Sequence, residues 1–437
     1  MLETKELEKN KKHNLKIYYI YKTFSWDLLF YYAVSFMFLT NYMGLTAAEI
    51  IFADAFFPFF KILFQIPSTL LVQRFGKRIG LIIGNISLAI YMLFILACKN
   101  MYILLIGNIF MALGFVLKSL CESNLLYDSL PNIHEKRKLF SKIDGKSASF
   151  HYLFEAVTCV VSGFLYTINP NIPMVLCLLC VLISLLLAHL FKPVPVDTTN
   201  ENEEHSNKTT LSKRLKEYMR NLKNAFKFIF SSSRLRSLIY FNAIMISLIY
   251  LLTSYRRSLF ADIGISAQSM GIIYAALGLI SSIYSGITPQ LHKIFRNKML
   301  TYMGLYFSFS IFLSGLAVFL NLPFNVSIII VLASQAIQFG IKGPYYTLIK
   351  QYLSSFASSS MRVKIISASN LIEGFISGLV SLLGAFLLTK MSTSAASIII
   401  GISFFILIAI LLNYMKTHVG LKPEEYSNRE INFKEVE

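Results

Sequence analysis

Ionisable side chains stand inside long apolar runs of this 437-residue chain, among them Asp27, Asp54, Lys61, Lys118, Glu155, Lys342 and Glu373. Charge among apolar groups is costly, so each such residue is by default part of an ion or substrate pathway and needs a partner. Asp27 follows Trp26, the one tryptophan, in a run that also holds Tyr18, Tyr21, Phe24, Phe30, Tyr31 and Tyr32. A carboxylate there could exchange a proton for a cationic substrate, and aromatic faces could hold that cation without demanding one shape. The alternative is a static ion pair of Asp27 with Lys22 or Lys61, the aromatics meeting lipid or core.

Asp54 and Lys61 are one heptad apart and Gln65 follows a turn later, which places all three on one face of a helix. That stripe must point inward, and it is expected to line a cavity. Lys118 and Lys342 lie roughly 9 Å from the same end of their apolar runs, and Glu155 and Glu373 roughly 12 Å from theirs. Two Lys–Glu latches that close in one state and break in another would use this spacing; alternatively both lysines snorkel toward headgroups. His151 could relay protons or be a hydrogen-bonded structural residue. Arg256, Arg257 and Asp262 are expected to decorate an outer mouth, and Gly343-Pro344 to mark a bend.

The elements that must hold these residues are dictated by composition. Apolar and aromatic residues make up 55% of the chain and charged residues only 15%, against about 25% charged in soluble domains. A helix crosses a bilayer core with about 20 mostly apolar residues, because lipid offers no partner to a free backbone N–H or C=O. Twelve such segments can be drawn, over 17–41, 48–71, 79–98, 102–123, 147–168, 172–191, 237–257, 268–288, 299–319, 325–348, 365–389 and 394–415. The first is too long for a signal peptide and is expected to stay in the membrane. A polar stretch at 192–236, acidic and amide-rich over Asp197–Asn207 and basic and amphipathic from Lys213 to Lys227, separates six spans from six. The expected organisation is a cytoplasmic N-terminus at 1–16, a bundle at 17–191, the linker, a bundle at 237–415 and a cytoplasmic tail at 416–437.

Net charge is +18, from 41 Lys and Arg against 23 Asp and Glu. In a soluble protein that balance would suggest nucleic acid. Here 33 of the 41 cations fall before the first span, in alternate loops, in the linker or after the last span. By the positive-inside rule those loops and both termini are cytoplasmic, and no nucleic-acid partner is expected. The five cysteines all lie in apolar runs; Cys177 and Cys180 form an isolated CxxC that reads as core rather than metal or redox site. Gly145-Lys146-Ser147 imitates the end of a phosphate-binding loop, but Phe140 stands where its first glycine should be. No metal, cofactor or enzymatic motif is expected.

The halves also echo each other. Pro67 matches Pro289, Arg74 matches Arg296, Lys142 matches Lys364 and Ser147 matches Ser369 at one constant offset, as a parallel internal repeat predicts. The loop after the second span reads Gln73-Arg74-Phe75-Gly76-Lys77-Arg78 and resembles the major facilitator superfamily signature Gly-x-x-x-Asp-Arg-x-Gly-Arg/Lys-Arg/Lys. Arg74, Gly76, Lys77 and Arg78 match it, while Thr69 and Gln73 replace the first Gly and the Asp. Leu126-Tyr127-Asp128-Ser129-Leu130 and Phe140-Ser141-Lys142-Ile143-Asp144-Gly145 are similar to the loop after span four in bacterial drug-efflux members. Two departures are the fifth span, which offers only Ser162-Gly163 in place of Gly-Pro-x-x-Gly-Gly, and Asn108, which replaces a basic residue in the fourth.

The resemblance covers about residues 15–415 and implies an all-α membrane protein, with twelve transmembrane helices in two six-helix bundles related by a pseudo-two-fold parallel repeat. It implies a monomeric plasma-membrane secondary transporter of small molecules, rocking about a midplane site, with protons and the lipid bilayer as its other partners. Proton-driven efflux of amphipathic or cationic compounds is the favoured function. Proton-coupled uptake of a nutrient is the runner-up, and a non-transporting receptor or scaffold the third reading.

Overall fold

The computed structural model describes residues 2–131, 136–194, 211–231, 233–295, 298–355 and 359–419. The acidic linker segment Asp197–Asn207 and tail residues 420–437 lie outside them. Among the described residues every regular element is a helix: α1 Leu2–Ser25, α2 Ser35–Met37, α3 Ala47–Ala55, α4 Phe57–Phe75, α5 Lys77–Leu96, α6 Met101–Ser129, α7 Lys136–Ile168, α8 Asn171–Leu190, α9 Leu211–Ser231, α10 Ser233–Asp262, α11 Ala267–Gly286, α12 Thr288–Phe295, α13 Met299–Phe319, α14 Phe324–Ser355, α15 Ser359–Leu388 and α16 Thr393–Val419. A π-helical turn, Phe38–Tyr42, follows α2. Ten of these helices are long and apolar enough to cross a bilayer.

The other two of the twelve spans are built in pieces, which corrects the expectation of continuous helices over 17–41 and 48–71. The first runs as α1, an irregular stretch over 26–34, then α2 and the π turn. The second breaks at Phe56 into α3 and α4. That break has a local cause, because Pro58 has no N–H to give the carbonyl of Asp54. Tyr250 supplies the missing donor, its hydroxyl 2.9 Å from that oxygen. Asp54 thus stands on a different helix from Lys61 and Gln65, and the expected stripe on one helix face is not continuous.

The described residues form two compact units. One takes its residues from Met1–Thr46, Phe56–Leu215 and Ser266–Ala275. Its α1 packs on α6, α7 and α8, and α5 lies along α6. Asn14 pins α1 to the end of α8, exchanging bonds of 2.9 and 2.8 Å with the carbonyl and N–H of Lys192. At the start of α6, Asn100 caps the helix by accepting from the N–H of Ile103 at 3.0 Å.

The other unit takes its residues from Ala47–Ala55, Lys216–Ile265 and Ala276–Glu437. Here α13 lies along α16, α10 packs on α15 and α16, and α3 rests on α15. The amphipathic α9 exposes Lys216, Arg220, Lys223 and Lys227 and directs Phe226, Phe228 and Ile229 toward this unit's core.

Lipid supplies no hydrophobic drive between helices, so close backbone approach at small residues carries much of the packing. A Cβ on Gly114 would lie 2.9 Å from the carbonyl oxygen of Gly84 and 2.7 Å from Leu88 Cγ. Gly114→Val is therefore expected to force α5 and α6 apart at a cost of about 1–3 kcal/mol, read as a lower melting temperature of the detergent-solubilised protein.

Candidate functional site

The first span carries neither Pro nor Gly where it breaks, so the cause lies in side chains. Asp27 folds back on its own backbone: Oδ1 accepts from the N–H of Leu28 at 2.9 Å and from the hydroxyl of Tyr32 at 2.5 Å. Such local bonds compete with the helical ladder. Phe30 takes a φ of 64°, in the left-handed region, an uncommon and costly conformation for a bulky residue that the surroundings must hold in place.

The break leaves carbonyls at the end of α1 without helical donors, and two side chains take them. His151 Nδ1 donates to the oxygen of Thr23 at 2.8 Å, and Lys118 donates to the oxygen of Ser25. A cation at a helix C-terminus also meets the negative end of the helix dipole. Lys118 is only 4% exposed.

One turn further along α6, Glu122 binds the same end of α1. Its Oε2 pairs with Lys22 Nζ at 2.9 Å and its Oε1 accepts from the Ser25 hydroxyl at 2.9 Å. Lys22 also lies 3.9 Å from Asp144 Oδ1, which accepts from Tyr18 at 2.8 Å. The Trp26 ring covers the Lys22 ammonium at 3.9 Å, a cation–π contact. His151 and Tyr152 of α7 come next to the indole, with ring centroids 6.3 and 6.1 Å away. Trp26, Asp27, Lys22, Lys118, Glu122 and His151 thus gather at one place.

Glu122 escaped the sequence analysis because it sits one residue from the end of the expected span 102–123, where a carboxylate reads as a headgroup neighbour. In fact α6 continues to Ser129, which leaves Glu122 buried. The spacing Lys118-x-x-x-Glu122 was the available signal. Lys22 takes Glu122 as its partner at 2.9 Å.

The remaining expected residues lie apart from this cluster or in other roles. Asp54 Oδ2 accepts from Ser254 at 3.2 Å. Lys61 is exposed and passes 5.6 Å from the Phe57 ring centre, while the carbonyl of Gln65 accepts from Thr69. Lys118 binds Ser25 rather than Glu155, and Glu155 lies 3.9 Å from His151 Nε2. Lys342 passes 5.9 Å from the Phe339 ring centre. Glu373 Oε1 accepts from Asn242 at 2.5 Å and Ser369 at 2.7 Å, and Tyr345 completes the group by donating to Asn242 Oδ1 at 2.9 Å. Arg256 and Arg257, expected at an outer mouth, are buried instead; Arg256 donates to Gln335 Oε1 and stacks on Phe339.

In the loop between α4 and α5, Gly76 supplies the φ of 87° that the turn requires. Lys77 pairs with Asp128 and Arg78 donates to the carbonyl of His189 at 2.7 Å. Arg74 lies over Phe75, and the side chain of Gln73 lies outside the described residues. Two stretches singled out in the sequence, 73–78 and 126–130, therefore meet through one ion pair. Gly145-Lys146-Ser147 sits inside the helix α7, not in a phosphate-cradling loop.

Comparison with known proteins adds three findings. The family profile described as Major Facilitator Superfamily matches residues 23–333. The uncharacterised MFS-type transporter YxaM of Bacillus subtilis (strain 168) is 21% identical over 234 residues, which span 53% of this chain and 55% of that protein. Among solved structures, the nucleoside transporter NupG superposes with a TM-score of 0.69 at 11% identity over 94% of this chain and 99% of its own. A D-xylose-proton symporter does so with a TM-score of 0.66 at 14% identity over 92% and 97%. Identities this low speak for the fold alone.

Removing one partner of a buried ion pair strands the other charge, at a cost of about 3–5 kcal/mol. Glu122→Leu is accordingly expected to lower the melting temperature sharply. The double variant Lys22→Met/Glu122→Leu should recover most of the loss, which a double-mutant cycle in detergent checks.

Proposed function

The chain belongs to the major facilitator superfamily, and on that premise we propose that it exports amphipathic or cationic small molecules by alternating access, driven by the proton gradient. The carrying observation is Asp27, a carboxylate placed at a break in the first span beside Trp26 and Tyr32. Interrupted membrane helices commonly bind substrates and coupling ions, because unwound backbone there lines a cavity. Asp27 can trade the hydroxyl of Tyr32 for a proton or for an organic cation, and Trp26 and Tyr152 offer the aromatic faces such a cation needs. Asp54, Lys61 and Gln65 support the pathway, and Glu155, Lys342 and Glu373 take part in the rearrangement between states.

The protein works as a monomer in the plasma membrane, with both termini and the 192–236 linker cytoplasmic. The distribution of 33 of its 41 cations supports that orientation.

The test is transport in proteoliposomes under an imposed pH gradient, with a panel of cationic dyes and metabolites. Wild type should move a cationic dye against its gradient. Asp27→Asn should cut this by at least about tenfold. Equal export by Asp27→Asn under the same imposed gradient would remove Asp27 from the coupling. Accumulation of a nutrient with the proton, in place of dye export, would establish the symport reading.

A further inference from the structure

The end of α1 inside the bilayer has the makings of a cation site. Helix C-terminal ends and unwound carbonyls coordinate coupling cations in broken membrane helices, since the dipole there is negative and buried carbonyls demand a partner. In this chain the site is already filled. Lys118 places its ammonium on the Ser25 oxygen, and Glu122, a turn away, has both carboxylate oxygens committed to Lys22 and to the Ser25 hydroxyl. Asp27 lies within electrostatic reach of the same ammonium. The ammonium also lies 5.7 Å from the centre of the Phe115 ring.

We propose that the interrupted end of the first span is a monovalent-cation site that the chain fills with its own tethered ammonium, Lys118, so that free cations such as sodium have no place there. The proposal concerns occupancy of this site and stands whether or not the export reading holds. It has a ready-made reporter, since Trp26, the one tryptophan, immediately follows Ser25 and covers Lys22.

Lys118→Ala removes Cγ, Cδ, Cε and Nζ, whose shape and charge are those of n-propylammonium. The experiment is thermal melting and Trp26 fluorescence of the purified full-length protein in detergent. Titrations use n-propylammonium chloride, sodium chloride and, as a neutral match, n-propanol, at constant ionic strength with choline chloride. Wild type should respond to none of them. Lys118→Ala should melt several degrees lower and regain at least half of that loss with n-propylammonium, with a saturable change in Trp26 emission, and n-propanol should do neither.

Two results would overturn the proposal: n-propanol restoring Lys118→Ala as well as the amine, which would mean that only volume is missing, or no response to the amine at all. Lys118→Met, which keeps the volume without the charge, guards against a failure of the alanine variant to fold. It should melt below wild type, and a wild-type melting temperature would overturn the proposal independently. Failure of Asp27→Asn to affect transport would leave all of these readings unchanged.

Discussion

A backbone carbonyl inside a bilayer has no water to bind, and most of what is particular to this protein follows from how it treats the carbonyls freed at Ser25. The first span stops being helical in the middle of an apolar environment. Its last oxygens must then be met by side chains from elsewhere, and α6 and α7 are shaped to meet them. Lys118 and His151 take the two carbonyls, while Glu122 grips the side chains of Lys22 and Ser25 on the same end. The charges of the site are in this sense answers to a hydrogen-bonding problem. Once gathered for that purpose they stand next to Asp27 and Trp26.

The second span shows a cheaper solution to the same problem. Pro58 removes one donor, a single carbonyl is left over, and the Tyr250 hydroxyl covers it. A neutral hydroxyl meets that carbonyl, whereas at the end of α1 an ammonium and an imidazole meet those of Ser25 and Thr23. In the other unit the buried carboxylate of Glu373 is met by the amide of Asn242 and the hydroxyl of Ser369, and Tyr345 donates to Asn242.

Orientation and chemistry draw on different cations. The exposed lysines and arginines, such as those on α9, bear on orientation through their number and place, as the positive-inside rule has it. Lys22 and Lys118 work by geometry, the first pairing with Glu122 and the second meeting the carbonyl of Ser25. The Lys77–Asp128 pair lies between these extremes, tying the α4–α5 loop to the end of α6.

Hydropathy alone drew the long apolar runs, ten of which form helices long and apolar enough to cross a bilayer, because burying backbone in lipid requires such runs whatever their neighbours. Pro58 signalled the break at Phe56, which the expected continuous span over 48–71 passed over, and the turn at Gly76 was legible. The break at Trp26 was not, for it contains no helix breaker and depends on donors from residues about a hundred positions away. For the same reason Lys22 and Asp27 could be named as charges in a span, but not assigned partners. Which carboxylate a buried ammonium meets is decided by distance and angle between helices, and only the folded chain sets those.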